Sequence, residues 1–238
     1  MYTKFFAHYR PLIDAVLIAN ALSLFLLLAR MWATGAYRYW FMLWNLFLAW
    51  VALLAVLVLL ARLRKVRERW SDAFVVGLFV VWLLFLPNCF YMLTDLIHLR
   101  STGEISLLYD ALLLSSFVTN GFLLGYTSVY AVHRQLLKRM REWQAGAVLS
   151  VVFLACGFAI YLGRVLRWNS WDVLLNPAGL LFDVTDGIVN PLAHPQVIMT
   201  TGTFFLFIGT FYAALYQALR LLGADTVRLT KVYHTRRQ

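Results

Sequence analysis

Six stretches of the chain are apolar at nearly every position, and the polar and charged residues gather between them. The runs cover approximately residues 12–32, 40–61, 73–93, 105–132, 145–166 and 197–222. A hydrocarbon core about 30 Å thick takes about 20 helical residues to cross. Each run is long enough. Strands of a membrane barrel alternate apolar and polar positions over about ten residues, and these runs do not alternate, so helices are predicted. A further apolar stretch, residues 173–182, is too short to span and predicts an interfacial or re-entrant helix, capped by Asn169 or Ser170. Pro87 lies within the third run. It removes a backbone donor and predicts a kink or break about one turn earlier. The expected fold is an all-α integral membrane protein: six transmembrane helices, a proline-broken third span and a short interfacial helix after the fifth, in a single polytopic domain covering residues 1–238.

Composition agrees and charge adds orientation. Of 238 residues, 62% are apolar and 13% charged, where a soluble domain carries about 25% charged residues. Neither a soluble globule nor a disordered chain fits. The formal net charge is +10, a balance that in a soluble protein would point to nucleic acid. Counted by alternate sides of the six runs, however, sixteen Lys and Arg fall on the side of the termini and five on the other. The positive-inside rule then places both termini in the cytoplasm of a plasma membrane, and the excess charge reads as topology and contact with the lipid bilayer rather than as a nucleic-acid surface. Ala19-Asn20-Ala21 has the form of a signal-peptide cleavage site, but the apolar run continues through Leu28, which favours an uncleaved first span. Cys89 and Cys156 match no metal spacing and are expected to be buried and free, at different membrane depths.

The candidate chemistry collects at one end of the spans. After Pro87, Asn88, Tyr91, Asp95 and His98 follow at spacings of three, four and three, within about 80° of one another on a continued helix. Asp95 is then placed to orient the His98 imidazole. Span four opens with Asp110, a carboxylate that needs a cationic partner. Span five ends in Gly163-Arg164-Val165-Leu166-Arg167-Trp168-Asn169-Ser170-Trp171-Asp172. Arg164 and Arg167 run against the positive-inside trend, and arginine suits bidentate capture of a carboxylate or phosphate. Pairing with Asp95, Asp110 or Asp172 is the competing role. The tryptophans also fit an aromatic belt. Asn20, Asn45, Ser116 and Asn120 read as interhelical hydrogen-bonding residues. Asp183, Asp186 and His194 match no metal motif, and neither a metal nor a cofactor is expected.

The blocks Leu86-Pro-Asn-x-x-Tyr-Met-Leu-Thr-Asp-Leu-Ile-His-Leu99, Tyr109-Asp110 and Gly163-Arg-x-x-Arg-Trp-Asn-Ser-Trp-Asp172, followed by Pro177, resemble the bacterial membrane family called domain of unknown function 1361. The resemblance covers roughly residues 40–220. It implies a bacterial plasma-membrane protein and carries over no catalytic residue, since the family has no assigned activity.

These readings converge on a polar pocket at the extracytoplasmic end, formed by Asn88, Tyr91, Asp95, His98, Asp110, Arg164, Arg167, Asn169, Trp171 and Asp172. The expected ligand is an anionic lipid headgroup or envelope precursor. If the pocket is catalytic, His98 is the general base and the arginines stabilise developing negative charge. The alternatives are a small-solute transporter or channel, and a structural or assembly subunit of a membrane complex. Walker A, HExxH and GxSxG motifs and an inverted repeat are all missing from the sequence, which disfavours active transport.

Overall fold

In a computed structural model, the described residues (2–65, 72–101, 103–168, 172–190 and 193–235) form α-helices and one 3-10 segment, with no strand among them. The helices are α1 (Tyr2–Thr34), α2 (Phe41–Lys65), α3 (Ala73–Tyr91), α4 (Leu107–Leu136), α5 (Glu142–Arg164), α6 (Asp172–Leu175), α7 (Pro177–Val189) and α8 (Pro195–Thr235), and the 3-10 segment, Met92–His98, continues α3. Six segments are long and apolar enough to cross a membrane: Ile13–Thr34, Phe41–Leu63, Ala73–His98, Leu107–Leu136, Glu142–Arg164 and Pro195–Leu221. This is a multi-pass helical membrane protein. The short α7, at 13 residues, stands between the fifth and sixth spans.

The spans run alternately up and down. Arg30, Tyr39, Asp95, Asp110 and Arg164 meet at one end of the bundle. The Arg62–Asp72 and Glu142–Arg220 contacts mark the other end, that of the termini. The centre of the bundle is α2, whose most apolar window is 67% buried, against 17% for the last span. A helix apolar on every face belongs inside. Both cysteines are buried and free.

The helices are tied by small residues and polar rungs. Asn120 donates to the Ala19 carbonyl at 3.1 Å and to Ser23 at 2.7 Å, and Ser23 donates to Ser116 at 2.8 Å, joining α1 to α4. Trp82 donates to Ser128 at 3.0 Å between α3 and α4. Such bonds are worth about 0.6 kcal/mol each within a membrane. Closest approach needs glycine. A Cβ on Gly121 would collide with the Cys89 carbonyl oxygen, and one on Gly157 would sit 2.5 Å from the Thr201 carbonyl oxygen.

The third span departs in one respect from expectation. Helix α3 passes through Pro87 uninterrupted, and the winding tightens only at Met92, beyond the proline rather than a turn before it. Neighbouring helices let a membrane helix carry a proline. Here Gly121 and Gly125 let α4 approach closely at Cys89 and Phe90, just after the proline.

Candidate functional site

A cavity of about 540 Å³ opens beside the 3-10 segment, walled by α2, α3, α5 and α7. Phe41, Trp44, Asn45 and Leu48 face it from α2 at the spacing of one helical stripe. Asn88 and Tyr91 of α3 line it together with Asp95 and His98 of the 3-10 segment. Gly163 of α5 lets the Tyr91 ring lie close, since a Cβ there would meet Tyr91 at 3.2 Å. The remaining walls are largely apolar, among them Leu84, Leu162, Leu180 and Val184.

Asp95 is the buried charge of this cavity, 2% exposed. Asn45 Nδ2 donates to its Oδ2 at 2.8 Å, and Arg164 Nη1 lies 3.7 Å from its Oδ1. The expected Asp95–His98 pair does not form. A buried carboxylate takes the donors that reach it from α2 and α5, while the His98 ring packs edge-on against Phe41, with centroids 5.4 Å apart. His98 stands instead in a cationic field, for the charges of Arg164, Arg100 and Arg38 all reach it. The Arg164 side chain is 26% exposed, and its contact with Asp95 is the Nη1 approach at 3.7 Å.

Of the residues singled out in the sequence, Asn88, Tyr91, Asp95, His98 and Arg164 thus share one cavity. Arg167 does not line it. Its backbone is left-handed, with φ 63°, and it turns the chain so that the Trp168 N–H returns to the Leu162 carbonyl at 3.1 Å. Asp172 opens α6, away from the cavity lining. Asn169 and Trp171 lie outside the described residues. Asn45 and Trp168 line the cavity although sequence reasoning assigned them structural roles. The signal for Asn45 was an amide within a span, on the same stripe as Phe41 and Trp44.

Asp110 belongs to a separate, adjoining network. Its carboxylate accepts from Arg30 Nε at 2.6 Å and Nη2 at 3.2 Å, and from the Tyr39 hydroxyl at 3.3 Å. Glu104 stands 3.7 Å from the same guanidinium. Tyr39 also reaches the His98 carbonyl at 3.4 Å, so this network braces the end of the 3-10 segment. Burial first, and the Asp110 charge after it, push the Tyr39 phenol above its ordinary value and keep it a donor.

Helix α7 covers one side of the cavity with Leu180 and Val184. Trp168 Nε1 ties it down by donating to Asp183 at 2.7 Å. At its far end Asp186 bonds Asn190 and His194, each at 2.8 Å. Among the described residues no three potential ligands converge on a metal position. The Asn190 amide, and then His194, hold the Asp186 carboxyl below the ordinary carboxylate range. A group so depressed stabilises the fold above its unfolded value and loses that contribution as pH falls through the folded one. Amide protection factors over residues 186–190 and 193–197 should therefore decline below pH about 4, and Asp186→Asn should flatten that decline. Protection that stays level in the wild type would contradict this account of the tie.

Residues 44–211 match the family model described as "Protein of unknown function (DUF1361)". The chain belongs to this family. Nothing among curated proteins or solved structures matches it. Asn45, Asp95, His98, Asp110 and Arg164 all fall inside the matched segment, whereas Arg30 and Tyr39, which brace the site, precede it.

Proposed function

We propose that the protein binds an amphiphile with an anionic head, a lipid headgroup or an envelope precursor, in the cavity beside the 3-10 segment. The observation that carries this reading is the position of Arg164, at the polar end of a cavity whose other walls are mostly apolar. Arg100 and Arg38 add to the positive field there. A phosphate or carboxylate takes two hydrogen bonds from an arginine fork, while Asp95 keeps its Asn45 donor when Arg164 turns to the ligand. The tail lies along Trp44, Leu48, Leu84 and Leu180. The sixteen-to-five asymmetry of basic residues supports an orientation with cytoplasmic termini and an outward-facing cavity in a bacterial plasma membrane.

Binding is favoured over the other roles on two grounds. A general base at His98 lacks the carboxylate that would orient it, because Asp95 bonds Asn45. A conducting path is opposed by the ring packing inside the bundle, where Phe90 and Tyr126 stand 5.2 Å apart and Phe122 and Phe207 5.9 Å apart.

The test is native mass spectrometry of the purified protein released from nanodiscs of phosphatidylglycerol or chain-matched phosphatidylcholine. Phosphatidylglycerol should be retained preferentially. Arg164→Ala should lower its retention about tenfold or more, the worth of a hydrogen bond to a charged group, and Arg139→Ala, at the opposite end, should leave it unchanged. Equal retention of the two lipids, or full retention by a folded Arg164→Ala variant, would rule the reading out.

A further inference from the structure

The opposite end of the bundle holds a second cavity, of about 440 Å³, among α4, α5 and α8. Its walls include His133, Phe153, Phe205, Tyr212 and Tyr216, and its one acidic side chain, Glu142, is engaged by Arg220 at 2.6 Å. His133 is 4% exposed, and its Nδ1 lies 2.7 Å from the Tyr212 hydroxyl. A phenol has one proton, and this is the hydrogen bond that Tyr212 makes. Assigning that proton to the bond with Nδ1 puts the imidazole's own proton on Nε2, whereas the other tautomer would leave the buried phenol proton without an acceptor. That Nε2 is buried and meets no acceptor. A buried donor of this kind is a standing cost that an incoming oxygen removes.

We propose that this cavity takes a neutral, flat, carbonyl-bearing molecule from the lipid phase, a quinone, whose carbonyl oxygen accepts from His133 Nε2. Three features select this class. The unmatched donor calls for an acceptor. The rings of Phe153, Tyr212 and Tyr216 line the space and suit a planar conjugated ring, which packs on aromatics by offset stacking. Net charge is absent from the walls once Glu142 pairs with Arg220, so a neutral molecule fits better than an ion. Access is from the membrane, past Leu206 of α8, which is 64% exposed. Tyr216 lies over the imidazole, with centroids 4.6 Å apart, and Nε2 is buried, so the proposed pose requires the Tyr216 ring to swing aside. The volume falls in the range of about 300–1,000 Å³ typical of small-molecule sites.

The full-length protein in micelles is photolabelled with an azidoquinone, and the labelled peptides are mapped by mass spectrometry. Labelling should concentrate on α4, α5 and α8 around the cavity, and excess decylubiquinone should compete it away. His133→Phe should reduce labelling about tenfold, the worth of one buried hydrogen bond and its unmet partner. Gly146→Phe should abolish it by filling the space, since a Cβ at Gly146 meets nothing within 4 Å and the fold has room for the side chain. The dimethyl ether of decylhydroquinone, which has no carbonyl, should compete poorly. Labelling spread over all lipid-facing surfaces, or unchanged in both variants, would overturn the site. Competition by dioctanoylglycerol equal to that by decylubiquinone would overturn the quinone assignment, because an ester carbonyl would then serve as well.

Discussion

Asp110→Ala should destabilise the protein by about 3–5 kcal/mol, the usual consequence of removing one partner from a buried ion pair. The Arg30 side chain has no exposed surface, and Asp110 accepts two of its N–H groups, at 2.6 and 3.2 Å. Without the carboxylate a guanidinium stays buried against helix α4, with only Glu104 nearby at 3.7 Å. The Tyr39 hydroxyl loses one of its two acceptors in the same step and keeps the His98 carbonyl. Unfolding of the purified protein in mixed micelles measures the loss. The double variant Arg30→Met/Asp110→Leu should recover most of it, since a well-packed apolar pair of similar volume replaces a buried ion pair with little penalty. A loss below about 1 kcal/mol, the range of a solvated pair, would show that the pair is not buried in the way described.

The second large effect is steric. Gly121→Ala and Gly157→Ala should each destabilise by about 1–3 kcal/mol, the cost of overpacking a close contact. The same change ordinarily favours a helix by about 0.5–1 kcal/mol. The sign reverses because the obstacle at both positions is a backbone carbonyl, of Cys89 and of Thr201, which cannot rotate out of the way as a side chain tip can. Gly77→Ala and Gly146→Ala supply the contrast, since a Cβ at either meets nothing within 4 Å and should be neutral or stabilising. All four variants unfolding with the same sign would refute the packing argument. Gly121→Ala should also disturb ligand retention, because it presses on α3 at Cys89, just before the segment that carries Asp95.

The site was partly legible in advance because the membrane makes polar residues conspicuous. Asn88, Tyr91, Asp95 and His98 stood out as a polar stripe among apolar neighbours, and Arg164 as a cation on the side that positive charge avoids. Partner choice was not legible. Asp110 had several arginines within reach of its level, and the one it meets, Arg30, lies 80 residues away on α1. Asp95 and His98 stand only three residues apart in the sequence. Asp95 nevertheless bonds Asn45, 50 residues earlier, because burial against α2 leaves that amide as its nearest donor.

Local physics accounts for what the sequence alone determined. Apolar runs of span length must be helical, since backbone groups in lipid can be satisfied only within the segment. The number of spans, the apolar character of the short α7 and the level of the polar cluster follow from composition along the chain. Only the tertiary structure decided which helices touch, and with that which charges are neutralised, which polar atoms face a cavity and which are left without a partner. Those outcomes depend on close approaches such as Gly121 against Cys89 and Gly157 against Thr201. Contacts of that kind depend on shape across helices distant in sequence, and hydropathy does not encode shape.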